Sequence, residues 1–305
     1  MPHDYALLRS WLFVPGDSER KLARCWDSGA DALIVDLEDA VSAPNKPAAR
    51  GIARQAIAAA QRGRTLVAIR VNALDTGLTS EDLAQTIACR PDCYVLPKVM
   101  APDDVRQVSA QIGRLEAEHG LAAGSTRLLA IVTEHPRAVM QLDALCRADP
   151  RTAAVMWGSE DLSAAIGARR VKDAQGRMLD VFQTVRTLAL LAASASGLAV
   201  LDTPVVELEA LDQLARESTE AAAMGFTGKV AIHPSQVAPI NQAFLPDAAE
   251  LAYARGLLEA AAASADGAFR YHGKMIDMPH IRTARRLVTL ADAHARTSPD
   301  RSPSP

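Results

Sequence analysis

Gly29-Ala-Asp-Ala-Leu-Ile-Val-Asp-Leu-Glu-Asp39 carries the reading that decides the fold. Within it, Ala32–Val35 is a short, apolar, partly β-branched run, the composition of a parallel strand buried on both faces. Asp36, Glu38 and Asp39 follow at once, and a helix-like stretch over Pro47–Gln61 comes next. The same unit of apolar strand, polar end and helix recurs along the chain. The other candidate strands are Trp11–Val14, Leu66–Val71, Cys93–Leu96, Leu128–Val132, Ala153–Trp157, Leu198–Leu201 and Lys229–Ile232, which makes eight. Stretches rich in Ala, Leu, Arg and Glu separate them: Ser18–Ser28, Ser80–Ala88, Asp103–His119, Arg137–Arg147, Met178–Ser196 and Val206–Met224. Such alternation argues for a parallel α/β fold. Eight units over roughly 230 residues favour a closed (β/α)8 barrel, whose usual size is about 250 residues, over a doubly wound open sheet.

Beyond Ile232 the pattern changes, with Pro234, Pro239 and Pro246 interrupting the chain. A helix is expected over Ala248–Ala263, then a Gly-marked turn, the segment Phe269–Pro279 and a basic amphipathic helix over Ile281–Ala295. The expected organisation is a barrel domain over 9–245, a C-terminal helical extension over 246–295 and a disordered Ser/Pro-rich tail over 296–305. With 49% hydrophobic and 23% charged residues, the chain of 305 residues is ordinary globular material. A formal net charge of −3 carries no polybasic signal, which argues against nucleic acid or an anionic membrane as a partner. Cys25, Cys89, Cys93 and Cys146 lack the paired spacing of a zinc site and read as reduced structural thiols. Met1–Arg9 has no apolar core of a signal peptide and no window reaches a membrane span, so a cytosolic protein is expected.

In a (β/α)8 barrel the active site gathers at the C-terminal ends of the strands. Those ends carry Pro15-Gly16, Asp36-Leu37-Glu38-Asp39, Arg70-Val71-Asn72, Pro97-Lys98, Thr133-Glu134, Gly158-Ser159-Glu160-Asp161, Asp202-Thr203 and His233-Pro234. Carboxylates from different strands, without clustered His or Cys, suit a hard cation such as Mg2+ held partly by water and substrate. Glu134 and Asp161 end neighbouring strands and can share one ion. Arg70 offers a planar fork for a substrate carboxylate. A metal beside such a fork suits a 2-oxo or 2-hydroxy acid and can stabilise a developing enolate or alkoxide. Each residue also has a plainer reading. Asp36, Asp39 or Asp202 can simply cap the following helix, and Glu134 and Asp161 taken singly fit capping as well as ligation. Arg70 fits a structural ion pair, His233 a core histidine and Lys98 a solvated lysine. The carboxylates near Lys98 favour a protonated, ion-paired amine over a Schiff base.

The motifs Arg9-Ser-Trp-Leu-Phe-Val-Pro-Gly16, Gly29 to Val41 followed by Lys46 and Arg50, Ile69-Arg-Val-Asn72, Leu96-Pro-Lys98, Trp157-Gly-Ser-Glu-Asp-Leu162 and Gly225 to Gln236 occur in order. Together, over about residues 9–290, the chain resembles the citrate lyase β-subunit-like branch of the HpcH/HpaI aldolase superfamily. The resemblance implies a TIM barrel, Mg2+ on Glu134 and Asp161, and a substrate carboxylate on Arg70. It further implies thioester chemistry on malyl-, citramalyl- or citryl-CoA, with a citrate lyase complex subunit acting on an acyl-carrier-protein thioester, or a CoA-independent pyruvate aldolase, as alternatives. A degenerate barrel that only binds is disfavoured by the intact Arg70, Glu134 and Asp161. Glu38 and Asp39 match carboxylates that bind metal waters, and Arg20 and Arg24 match basic positions placed to meet CoA phosphates. Phe13, Ile232 and His233 match the pocket wall. Asp277, in Met275-Ile-Asp-Met-Pro279, matches a catalytic acid donated to the neighbouring subunit, which implies a homo-oligomer, a trimer or a dimer of trimers. One departure stands out: Glu134 is followed by His135-Pro136 where the family has a small residue, which puts the substrate pocket rather than the metal in question.

Overall fold

The computed structural model describes residues 3–264 and 267–295, so the tail expected to be disordered lies outside the described residues. Its strands are β1 (Ser10–Pro15), β2 (Ala32–Asp36), β3 (Leu66–Arg70), β4 (Cys93–Leu96), β5 (Arg127–Ile131), β6 (Thr152–Met156), β7 (Ala199–Asp202) and β8 (Gly228–Ala231). Each is parallel to the next, and β8 closes on β1, giving a barrel of eight strands. All eight expected strands are present, with ends that differ by at most one residue. The interior is filled by side chains that alternate along the strands, among them Trp11, Ile34, Val95, Leu129, Met156 and Val230. The residues between them, such as Leu33, Val67 and Val155, are also fully buried, as a layer of covering helices requires.

Those helices are α1 (Glu19–Cys25), α2 (Lys46–Ala59), α3 (Thr79–Thr86), α4 (Pro102–Glu118), α5 (Pro136–Val139), α6 (Leu142–Cys146), α7 (Glu160–Ala165), α8 (Asp180–Ala195) and α9 (Leu211–Met224). The single helix expected over Arg137–Arg147 is two short ones, because Gln141 takes a non-helical backbone (φ −129°, ψ 18°) between them. The short α7 and the later α10 (Val237–Ala243) were not anticipated, since one or two turns give too little periodicity to read. Gly16 has a specific role. Its N–H donates to the Asp36 carbonyl at 2.8 Å, and a Cβ there would stand 2.7 Å from that oxygen. Any side chain would push the ends of β1 and β2 apart.

The chain divides into two compact units, Met1–Asn241 and Gln242–Pro305. In the second, α11 (Ala248–Ala263) starts with a capping box between Asp247 and Glu250 and packs on α12 (Met278–Ala295) through Ala254, Leu257, Ile281 and Ala284. Between them β9 (Phe269–Tyr271) and β10 (Lys274–Ile276) form an antiparallel hairpin. Its two turn residues, His272 and Gly273, both have positive φ (47° and 78°), the requirement of a tight right-twisting hairpin turn. All four cysteines are buried and unpaired. Among the described residues no helix is long and apolar enough to cross a membrane.

Candidate active site

The register of β2 on β3 sets Asp36 beside Arg70, the last residue of each strand. Arg70 spends its fork there: Nε and Nη2 each donate to a different Asp36 oxygen at 2.7 Å. Its Nη1 reaches Glu38 Oε2 at 3.0 Å, and the guanidinium carbon lies 4.6 Å from the centroid of the half-buried Phe13 ring. Asp36 also accepts the backbone N–H groups of Glu38 and Ala40, so it caps no helix but shapes the loop that carries Glu38 and Asp39. The Nε–Nη2 edge of the Arg70 fork expected for a substrate carboxylate is therefore taken by Asp36, and Nη1 and Nη2 keep for a ligand only the N–H groups not given to Glu38 and Asp36.

Lys46, at the start of α2, braces the same loop from below. Its ammonium donates to the Leu37 carbonyl at 3.0 Å, the Glu38 carbonyl at 2.8 Å and Asn72 Oδ1 at 2.5 Å. Asn72 is held in turn by Asp82, which Arg50 Nε contacts at 2.6 Å. Lys46 and Arg50 were legible only as members of a motif. The brace they form joins groups far apart in the chain.

Glu134 is buried at the end of β5, and Asp161 opens α7 with its carboxylate well exposed. Thr133 ties their segments together, since its hydroxyl donates to the Gly158 carbonyl and accepts the Gly158 N–H. Burial pushes the Glu134 carboxyl up to about 8, and the charges of Asp161 and Glu38 add to the rise. Burial also raises Glu38, both of whose oxygens are buried and lack a partner in hydrogen-bond geometry. They do have ion-pair partners: Arg70, and Lys98 Nζ at 2.7 Å. Lys98 Nζ also lies 3.0 Å from Asp39 and 3.8 Å from Asp161, so the lysine is ion-paired as expected. Carboxylates crowded until their charged forms are disfavoured fit a hard cation, which would relieve that repulsion. Among the described residues no group of three His, Cys, Asp or Glu side chains is placed to hold a metal ion.

Arg20 and Arg24 are exposed on α1. Ile232 is 38% exposed, and His233 is exposed rather than core, its Nδ1 2.7 Å from the Ser235 hydroxyl. His135 is exposed and caps α5 by accepting the Arg137 N–H. Asp277, just ahead of α12, contacts His280 Nδ1 at 2.6 Å. Asp202 departs from its reading as a rim or capping residue. It is buried against α8, accepting from Trp157 Nε1 (2.7 Å), Arg186 Nε (3.0 Å) and Lys229 Nζ (2.7 Å). A lysine inside an apolar strand was the signal for that buried carboxylate.

The chain is similar to the mitochondrial citramalyl-CoA lyase of Mus musculus, with 32% identity over 95% of this chain and 87% of the mouse protein. It is 32% identical to a (3S)-malyl-CoA thioesterase of Cereibacter sphaeroides, over 97% of this chain and 98% of that one. Among solved structures, Mycobacterium tuberculosis CitE in complex with magnesium, acetoacetate and coenzyme A superposes with a TM-score of 0.77 at 33% identity, covering 94% of this chain and 99% of CitE. The profile of the HpcH/HpaI aldolase/citrate lyase family matches residues 9–234. A closed parallel barrel, a rim of carboxylates beside one anchored arginine and these likenesses agree: the chain belongs to the HpcH/HpaI aldolase/citrate lyase family.

Proposed function

We propose that the chain is a Mg2+-dependent carbon–carbon lyase acting on a carboxylated 3-hydroxyacyl-CoA such as malyl-, citramalyl- or citryl-CoA. The observation that carries this reading is the rim itself, where Glu38, Asp39 and Asp161 surround the Lys98 ammonium beside the Arg70 guanidinium and Glu134 accepts the Lys98 backbone N–H. Glu134 and Asp161 would hold Mg2+, with Glu38 and Asp39 binding its waters. Bound there, the ion supplies a Lewis acid for the substrate's hydroxyl and carboxylate oxygens. The N–H groups left on Nη1 and Nη2 of Arg70 would anchor the carboxylate that leaves with the 2-oxo acid. A base takes the proton of the C3 hydroxyl, the C2–C3 bond breaks as the C3 carbonyl forms, and the released pair becomes the thioester enolate. Protonation at C2 then gives the acetyl thioester. Phe13, Ile232 and His233 would wall the pocket.

The barrel domain, 9–245, would carry this site, and the extension, 246–295, would donate Asp277 to a neighbouring subunit of a trimer or dimer of trimers. The rim carboxylates are committed to cations, so a separate acid/base is needed to move the proton. Mixing Asp277→Ala with Glu134→Gln subunits should restore activity through hybrid sites. No recovery after verified exchange of subunits would argue against the shared site.

Malyl-, citramalyl- and citryl-CoA, each assayed with and without Mg2+ and with product identification, test the activity directly. A 2-oxo acid with acetyl-CoA is the expected product pair. Free CoA without cleavage would mean thioester hydrolysis, and turnover of acyl-carrier-protein thioesters alone would mean a citrate lyase subunit. A pantetheine thioester in the same panel reads out Arg20 and Arg24, which lie on one face of α1. Removing both charges should raise KM for the CoA thioester more than for the pantetheine one, and equal changes would count against phosphate contact.

A further inference from the structure

Lys98 touches all four rim carboxylates. Its backbone N–H donates to Glu134 Oε2 at 2.5 Å. Its ammonium lies 2.7 Å from Glu38 Oε1, 3.0 Å from Asp39 Oδ2 and 3.8 Å from Asp161 Oδ1. The backbone makes this double reach possible. Lys98 has φ of +52°, a left-handed conformation that an L side chain adopts at an energetic cost and keeps only where its surroundings enforce it. The turn aims the N–H at the end of β5 while the side chain crosses to the β2–α2 loop and the start of α7.

The other cations of the rim are committed elsewhere. Arg70 is clamped on Asp36 and Glu38. Lys46 gives its three donors to two carbonyls and the Asn72 amide oxygen. Counter-charge for Asp39 and Asp161 thus comes from Lys98, in the space where carboxylates crowd.

We infer that the Lys98 ammonium is a placeholder cation, which gathers Glu38, Asp39 and Asp161 in the metal-free protein and gives up Asp161 when a divalent ion binds. The inference rests on the reading that Glu134 and Asp161 hold Mg2+. Its consequence is that Lys98 weakens Mg2+ binding while stabilising the metal-free site. A lysine that merely shaped the site would do the opposite, since its loss would scatter the ligands and weaken the metal.

Isothermal titration of Mg2+ into the metal-free wild type, Lys98→Met and Lys98→Gln separates the two. Removing a positive charge about 4 Å from a ligand should tighten Mg2+ binding on the order of ten-fold in both variants. The metal-free Tm should fall in both, and the rise in Tm on adding Mg2+ should exceed that of the wild type. Unchanged or weaker Mg2+ binding in either folded variant overturns the placeholder role while leaving the metal site standing. Absence of binding heat and of any Mg2+-induced Tm shift in the wild type overturns the metal site and the placeholder together.

Discussion

Glutamine in place of Glu134 should abolish Mg2+-dependent turnover while leaving the barrel folded, and Asp161→Asn should do the same. The amide keeps the shape of Glu134 and can still accept the Lys98 N–H, so the local geometry survives. What is lost is the negative charge on a ligand that is 6% exposed and surrounded by other carboxylates. Burial already works against the ionised form, so a neutral side chain does not destabilise the metal-free fold. Activity should drop by at least about a thousand-fold, the scale on which removing preorganised electrostatic stabilisation is felt. Turnover measured across a Mg2+ titration, alongside circular dichroism, checks this. Wild-type turnover at limiting Mg2+ in either variant would remove the proposed site. Arg70→Lys belongs in the same series. Lysine keeps the charge but cannot hold both Asp36 oxygens and a substrate carboxylate at once, so strong impairment is expected and unchanged kinetics would return Arg70 to a purely structural role.

The second large effect is on stability. Asp202 is fully buried between two cations, Arg186 and Lys229, and also accepts the Trp157 indole N–H. Asp202→Asn removes the carboxylate that Lys229 pairs with and leaves Arg186 with Glu220 alone. Breaking a buried pair from one side costs about 3–5 kcal/mol. For a chain of this size that corresponds to a fall in Tm on the order of 10 °C, measurable by calorimetry or by urea unfolding. A loss below about 1 kcal/mol would mean that the network contributes little to the fold. The pH dependence has a definite sign. Burial acts to raise the Asp202 pKa, but Lys229 and Arg186 outweigh it and hold the carboxyl at about 2. An unfolded aspartate titrates near ~3.9, so the carboxylate's contribution is complete above that pH and is lost as the pH falls towards 2. The stability gap between wild type and Asp202→Asn should therefore be widest above pH ~4 and close as the solution is acidified.

Much of the barrel was legible because its strands obey a local rule. A parallel strand covered on both faces must be apolar along its whole length, so runs such as Ala32–Val35 and Cys93–Leu96 announce themselves, and eight of them with helices between leave few topologies. The short α7 and α10 carry too little periodicity to be read in the same way, and α5 and α6 read as one helix. The location of the site was legible for a related reason: strand ends in this architecture share one rim, so Glu134, Asp161, Glu38, Asp39 and Arg70 can be assembled from their places in the chain.

Direction and partnership were not. Arg70 and Asp36 are paired by strand register, and the pairing consumes the Nε–Nη2 edge of the fork that the residue type alone offered to a substrate. Asp202 ends a strand like the others, yet its side chain meets Arg186 of α8 and Lys229 of β8, because successive side chains alternate between the two faces of the sheet. The positive φ of Lys98 has no signature in Leu96-Pro97-Lys98-Val99, although it brings one residue into contact with four carboxylates. Hydrophobic periodicity is a property of each segment and can be read along the chain. The pairing of charges depends on which distant segments the closed barrel sets side by side, and only the tertiary structure decides that.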